Sequence, residues 1–106
     1  MPSNERPATL ITGGSRGIGA AIARRLARDG HDLALTYRER REEAEAVAAQ
    51  CRELGARVVL LQADLADLER ATSIVTETIE ALGRLTGLVN NAGITGRIGQ
   101  FLETTT

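Results

Sequence analysis

The residues best placed to bind a charged ligand are three glycines near the amino terminus, Gly13, Gly17 and Gly19. They stand between a short apolar run and an alanine-rich helical pattern. Glycine lets backbone N–H groups approach a ligand closely, and the first turn of a helix carries unpaired N–H donors and a partial positive charge. A pyrophosphate suits both features. The stretch therefore predicts a dinucleotide site, with a purely structural turn as the alternative interpretation.

Apolar strands and amphipathic helices alternate along the chain, and these elements must position the glycine turn. Continuous apolar strands indicate a parallel sheet buried on both faces. Right-handed crossovers then predict an α/β fold, a Rossmann-type doubly wound parallel sheet with strand order 3-2-1-4. Helix 1 carries Ile18, Ala21, Ile22 and Leu26 on one apolar face. The predicted strands are Ala8–Thr12, Leu33–Tyr37, Arg57–Gln62 and Leu88–Asn90, and the predicted helices are Gly17–Arg28, Glu39–Leu54 and Asp67–Leu82.

Four segments of the chain follow the ends of the four predicted strands. They are the glycine turn, Tyr37-Arg38, Asp64-Leu65, and the stretch from Asn90 to Gly93. In a doubly wound sheet the ligand lies outside the carboxyl ends of the strands, beside the first strand. We therefore expect all four segments to meet at one ligand-binding edge.

The end of the second strand indicates which dinucleotide is bound. In this fold an acidic residue there usually holds the adenosine ribose hydroxyls, but the chain reads Thr36-Tyr37-Arg38. A guanidinium matches phosphate geometry, and Arg16 in the glycine turn is within reach of the same region. These arginines favour NADP(H) over NAD(H). The alternative is that Arg38 only begins the solvated face of helix 2.

Asp64 has two interpretations of equal weight from the sequence. Its carboxylate is placed to accept a hydrogen bond from the adenine amino group, or it serves as a turn residue or helix cap before helix 3. Asp67 is the better candidate for the cap.

Length and composition limit the other functions that the chain could have. A length of 106 residues allows one domain at most, and a net charge of −1 gives no indication of a nucleic-acid partner. No signal-peptide pattern or membrane-length apolar stretch is present, so we expect a cytoplasmic protein without membrane contact. The single cysteine, Cys51, lies on an apolar helical stripe and is expected to be buried. With one histidine, His31, it cannot form a metal site of the usual type.

The motifs together resemble the classical short-chain dehydrogenase/reductase family, in particular its 3-oxoacyl-acyl-carrier-protein reductase and glucose dehydrogenase group. The resemblance rests on the glycine turn, Asp64-Leu65 and the Asn-Asn-Ala-Gly stretch, and it covers nearly all of Ala8 to Thr95. It implies a role in cofactor binding for many residues. At the pyrophosphate it places Gly13, Gly17 and Gly19, with contacts from Ser15, Arg16 and Ile18. By the same resemblance, the family's NADP(H) pattern is formed by Arg16 and Arg38, and Tyr37 lies at the adenosine end. It also implies that the adenine is bound by Asp64 and Leu65, and that the adenosine and ribose are lined by Asn90, Ala92 and Gly93.

The resemblance also implies an NADP(H)-dependent oxidoreductase that acts on a small carbonyl or alcohol substrate and forms a homo-oligomer. The family's catalytic Asn, Ser and Tyr-x-x-x-Lys do not occur in these residues, which contain no lysine. We therefore expect residues 1–106 to form a single, incomplete NADP(H)-binding Rossmann domain that is inactive alone, with no catalytic or metal-binding residue. A non-catalytic nucleotide-binding fragment and an inert truncated remnant are the alternatives.

Overall fold

The computed structural model describes residues 6–91 as a four-stranded sheet with helices on both faces. All neighbouring strands pair in parallel, in the order β3-β2-β1-β4. The predicted fold class and strand order are therefore confirmed. The elements are β1 (Ala8–Thr12), α1 (Gly17–Arg28), β2 (Asp32–Tyr37), α2 (Arg41–Glu53), β3 (Val58–Gln62), α3 (Leu68–Leu82) and β4 (Gly87–Asn90).

The two inner strands, β1 and β2, are buried along their whole length and separate two apolar clusters. Because successive strand residues point to opposite faces, Leu33 and Leu35 join the cluster beneath α1 and α2, whereas Ala34 joins the cluster beneath α3. Cys51 is fully buried in the first cluster, as predicted. Both faces of the inner strands are thus covered. The polar groups of these strands lie where the strands begin and end, at the amino and carboxyl ends of the sheet.

The predicted apolar face of α1 is wrong in part. Ile18 is 73% exposed and Ala21 is exposed, while Ile22 and Leu26 pack only at the margin of the core. The residues that α1 buries are small: Gly19, Ala20, Ala23 and Ala27. Small side chains let the helix lie close to the sheet, but they contribute little to a hydrophobic pattern. The boundaries of β1 and α1 are as predicted, and those of the other elements differ from the predicted ones by one or two residues, with the largest difference at the start of α2.

A buried carboxylate ties three segments together at the amino end of the strands. Asp32 accepts hydrogen bonds from the Arg57 backbone N–H at 3.0 Å, from Arg6 Nε at 3.2 Å and from Arg84 Nη2 at 3.2 Å. Burial alone would raise the pKa of Asp32, but these hydrogen bonds and the charge of Arg6 outweigh burial and lower it. This ion cluster lies at the end of the sheet opposite the glycine turn.

Candidate functional site

The glycine turn is held between its two neighbouring strands by hydrogen bonds. The Gly13 N–H donates to Thr36 Oγ1 at 3.0 Å, and the Gly14 N–H donates to the Thr36 carbonyl at 3.2 Å. On the other side, Asn91 Nδ2 donates to the Gly13 carbonyl at 3.1 Å. The turn is therefore fixed to β2 and to the end of β4 at once.

Two of the glycines are required by the geometry of the turn. Gly17 has φ +60°, in the left-handed region that other residues seldom adopt. Gly19 leaves no room for a side chain, because a Cβ there would overlap the Gly13 carbonyl oxygen and come within 2.6 Å of Asn91 Nδ2. The α1 helix can thus start directly against the turn only with glycine at this position.

The start of α1 is open to an anion. Arg16 caps the helix in extended conformation and its side chain makes no capping hydrogen bond, and the first turn carries no acidic residue. The N–H of Ala20 is bonded to the Arg16 carbonyl at 3.3 Å, so the N–H groups of the preceding turn have no intrahelical partner. In contrast, α3 is capped by Asp67, which accepts from the Arg70 N–H at 3.2 Å as the sequence predicts. The open helix start, with no acidic residue in its first turn and no side-chain cap, fits a pyrophosphate group.

The end of β2 is bonded to the glycine turn through Thr36 and is followed by an arginine. Tyr37 is buried, and the side chain of Arg38, the next residue, is 70% exposed with its Nε 3.9 Å from Glu39 Oε1. The carbonyl of Tyr37 accepts from the Ala63 N–H at 2.9 Å, which joins this segment to the end of β3. A solvated guanidinium at this edge suits a phosphate monoester better than a ribose diol.

Asp64 acts as a turn residue in the structure. Its Oδ1 accepts from the Ala66 N–H at 3.0 Å, and its carbonyl accepts from the Asp67 N–H at 3.0 Å. The Asp64 side chain is exposed, and Leu65 packs against the core cluster beneath α3. The turn interpretation is therefore correct, and a contact between the Asp64 carboxylate and adenine stays a prediction.

The end of β4 is joined to β1 through polar side chains. Thr12 Oγ1 lies 3.3 Å from Asn90 Oδ1, to which it donates, and it accepts from the Asn91 N–H at 3.1 Å. Asn90 is exposed at the same edge as the glycine turn. The predicted site residues Ala92 and Gly93 lie outside the described residues.

The sequence interpretation gave no role to Thr36 or Asn91, although both position the glycine turn. A threonine near the end of an apolar strand is a weak signal, because threonine is also a common strand former. Asn91 stands inside a recognised motif, but its bond to Gly13 joins residues far apart in the chain. Only the packed sheet brings these partners together.

Comparisons with known proteins identify the family. Residues 7–106 match the family model described as short chain dehydrogenase. The chain belongs to the short-chain dehydrogenase family. The chain is 51% identical over 86 residues to a 3-oxoacyl-[acyl-carrier-protein] reductase of Aggregatibacter actinomycetemcomitans, a match that covers 81% of this chain and 36% of the reductase. The chain thus spans about a third of the length of the curated relatives that it matches.

Solved structures of other family members share the fold. A short chain dehydrogenase from Burkholderia cenocepacia, in complex with NADP, is 54% identical with a TM-score of 0.79, over 84% of this chain and 36% of that one. A dehydrogenase/reductase from Sinorhizobium meliloti is 50% identical with a TM-score of 0.80, over 83% of this chain and 35% of that one. The predicted resemblance is therefore confirmed for the amino-terminal part of the family fold.

Two further observations concern the described residues alone. Residues 6–91 contain no group of three or more histidine, cysteine or acidic side chains arranged to hold a metal ion. No helix in this part of the chain is long and apolar enough to cross a membrane.

Proposed function

We propose that this chain is the NADP(H)-binding part of a short-chain oxidoreductase that interconverts a carbonyl compound and an alcohol. The observation that best supports the proposal is the uncapped start of α1, which lies against a glycine turn at the same sheet edge as the exposed Arg38. The Burkholderia cenocepacia relative was solved with NADP bound, which agrees with this choice of cofactor. When bound, the cofactor supplies or accepts the hydride of the reaction.

Each residue of the candidate site has a proposed part in holding the cofactor. The backbone N–H groups at the start of α1 bind the pyrophosphate, and the guanidinium groups of Arg16 and Arg38 bind the 2′-phosphate. Tyr37 closes the adenosine end of the site. The remaining contacts are those of Gly13, Ser15, Gly17, Ile18 and Gly19 with the pyrophosphate, of Asp64 and Leu65 with the adenine, and of Asn90, Ala92 and Gly93 with the adenosine and ribose.

The preference for NADP(H) over NAD(H) rests on charge. A carboxylate at the end of β2 would repel a 2′-phosphate, whereas β2 ends in Thr36-Tyr37 and is followed by Arg38. Glu39 follows Arg38, and its carboxylate is already close to the Arg38 guanidinium. A 2′-phosphate with two negative charges would compete with Glu39 for Arg38, and Arg16 would strengthen its binding.

Nucleotide binding without turnover is a second candidate function for these 106 residues. They contain no lysine, and their single tyrosine, Tyr37, is 6% exposed and lies at the proposed adenosine end. We propose that the proton transfer of the reaction depends on residues other than these. The 106-residue chain is then expected to oxidise no NADPH in the presence of carbonyl compounds, as followed by absorbance. Assembly into a homodimer or homotetramer stays a prediction, which sedimentation of the complete polypeptide tests.

A charge reversal tests the proposed cofactor specificity. In the complete polypeptide, Arg38→Asp is expected to weaken NADPH binding about 30-fold, which corresponds to about 2 kcal/mol for a charge-assisted hydrogen bond. NADH binding is expected to stay the same or to improve. Arg28→Asp, at the exposed end of α1, is the matched control for the change in net charge. If calorimetric titration gives the same NADPH to NADH affinity ratio for Arg38→Asp and the native protein, the proposed role of Arg38 is wrong.

A further inference from the structure

A side-chain amide at the end of β3 holds the backbone of Arg38. Gln62 is the last residue of β3 and lies opposite Tyr37 in the parallel register. Its Nε2 donates to the Arg38 carbonyl at 3.2 Å, next to the bond from the Ala63 N–H to the Tyr37 carbonyl. The carbonyl of the last residue of β2 is thus held by a backbone donor that follows β3, and the carbonyl of the next residue is held by the side chain of Gln62.

Gln62 is in turn held by α3. Arg70 Nε donates to the Gln62 carbonyl at 2.8 Å, and Arg70 Nη1 donates to Ser73 Oγ at 3.2 Å and pairs with Glu77. The hydrogen bond from Arg70 therefore holds the main chain of Gln62 against α3, and this fixes the position from which the Gln62 side chain reaches the Arg38 carbonyl.

We propose that Gln62 is a positioning residue for cofactor selectivity, which acts by holding Arg38 where its guanidinium can bind a 2′-phosphate. This inference rests on the proposed function of the site. The long Arg38 side chain is largely solvated and has a competing partner in Glu39, 3.9 Å away. Fixing the Arg38 carbonyl restricts its backbone and hence the direction in which its side chain leaves the chain. A group that is ordered before binding loses less conformational entropy on binding.

The proposal predicts an effect on the 2′-phosphate alone. Gln62→Met keeps the length of the side chain and removes its donor, and Gln62→Glu keeps the shape and replaces the donor with an acceptor. The probes are 2′,5′-ADP and 5′-AMP, which carry the adenosine half of the cofactor with and without the 2′-phosphate. In calorimetric titrations of the complete polypeptide, Gln62→Met is expected to weaken 2′,5′-ADP binding about three- to tenfold, the range of one hydrogen bond, and to leave 5′-AMP binding unchanged.

A matched control and a fold check accompany this measurement. Gln50→Met makes the same chemical change on the exposed face of α2, where Gln50 accepts from Arg24, and is expected to change the binding of neither probe. Because Gln62 is exposed, both Gln62 variants are expected to keep the native circular dichroism spectrum. Equal loss of both probes would indicate a general structural role for Gln62 and overturn the proposal.

A double-mutant cycle separates positioning from direct contact. If Gln62 acts through Arg38, then Gln62→Met has no further effect on 2′,5′-ADP binding in an Arg38→Met background. A persistent loss there would show that Gln62 contacts the phosphate itself, and the positioning role would be wrong. If Arg38→Met weakens 2′,5′-ADP binding and Gln62→Met does not, only the positioning role fails. If Arg38→Met has no effect, the proposed role of Arg38 fails, and the positioning role fails with it.

Discussion

Replacing Gly19 by alanine adds one methyl group at the tightest point of the proposed cofactor site. The new Cβ would overlap the Gly13 carbonyl oxygen and come within 2.6 Å of Asn91 Nδ2. Either the Asn91 amide or the glycine turn must then move. Both movements break the 3.1 Å bond by which Asn91 holds Gly13.

The expected loss of stability follows from three contributions. Loss of the Asn91 hydrogen bond costs about 1 kcal/mol, and the steric overlap costs about 1–3 kcal/mol. Alanine favours a helix over glycine by up to about 1 kcal/mol, which offsets part of this loss. We therefore expect Gly19→Ala to lower the free energy of unfolding by about 2 kcal/mol, although the same substitution in an open helix would raise it.

Urea unfolding and calorimetric titration with NADPH measure the two consequences in the complete polypeptide. Displacement of the turn is expected to raise the NADPH dissociation constant at least about tenfold, or about 1.4 kcal/mol. Gly55→Ala is the matched control, because Gly55 has φ +98° and open space around it at the end of α2. It is expected to lose about 1–2 kcal/mol of stability from backbone strain with no change in NADPH affinity. A Gly19→Ala protein with native stability and native NADPH affinity would refute this account of the turn.

Two further substitutions test contacts at opposite ends of the sheet. Thr36→Val leaves the Gly13 N–H without its side-chain acceptor, so the free energy of unfolding in urea is expected to fall by about 1–2 kcal/mol; unchanged stability would exclude Thr36 as an anchor of the turn. The hydrogen bonds to Asp32 outweigh the effect of burial and lower the pKa of Asp32 below the ordinary value of 3.8. The ion cluster around Asp32 therefore stabilises the fold above about pH 4 and loses that effect as the pH falls further. Asp32→Asn is expected to lower the free energy of unfolding by about 3 kcal/mol at pH 7. It is also expected to flatten the decline in stability that urea unfolding shows below about pH 4. An unaltered decline would mean that Asp32 does not cause it.

Local patterns predict the fold because each element carries its own signal. Continuous apolar residues identify β1 and β2, and Asp67 stands where α3 needs a cap, as the structure confirms. The buried face of α1 could not be predicted from the pattern of large apolar residues. Its contact with the sheet consists of glycine and alanine, and Ile18 points to solvent at the edge of the candidate site.

The contacts that shape the site are harder to predict because they join distant segments. Thr36 reaches Gly13 across 23 positions, and Asn91 reaches it across 78. The bond from Gln62 to the Arg38 carbonyl spans 24 positions. The strand order brings these residues to one edge, but which side chain forms a hydrogen bond with which backbone group depends on the register between strands. Glycine spacing therefore predicts a phosphate turn, whereas the residues that hold the turn emerge only from the assembled sheet.

A crystal structure of the complete polypeptide with NADP⁺ tests the central claim most directly. We expect the pyrophosphate against the backbone N–H groups at the start of α1 and the 2′-phosphate within hydrogen-bond distance of the Arg38 guanidinium. A pyrophosphate bound away from the glycine turn would contradict the proposed site. A 2′-phosphate directed away from both Arg16 and Arg38 would contradict the proposed basis of NADP(H) selectivity.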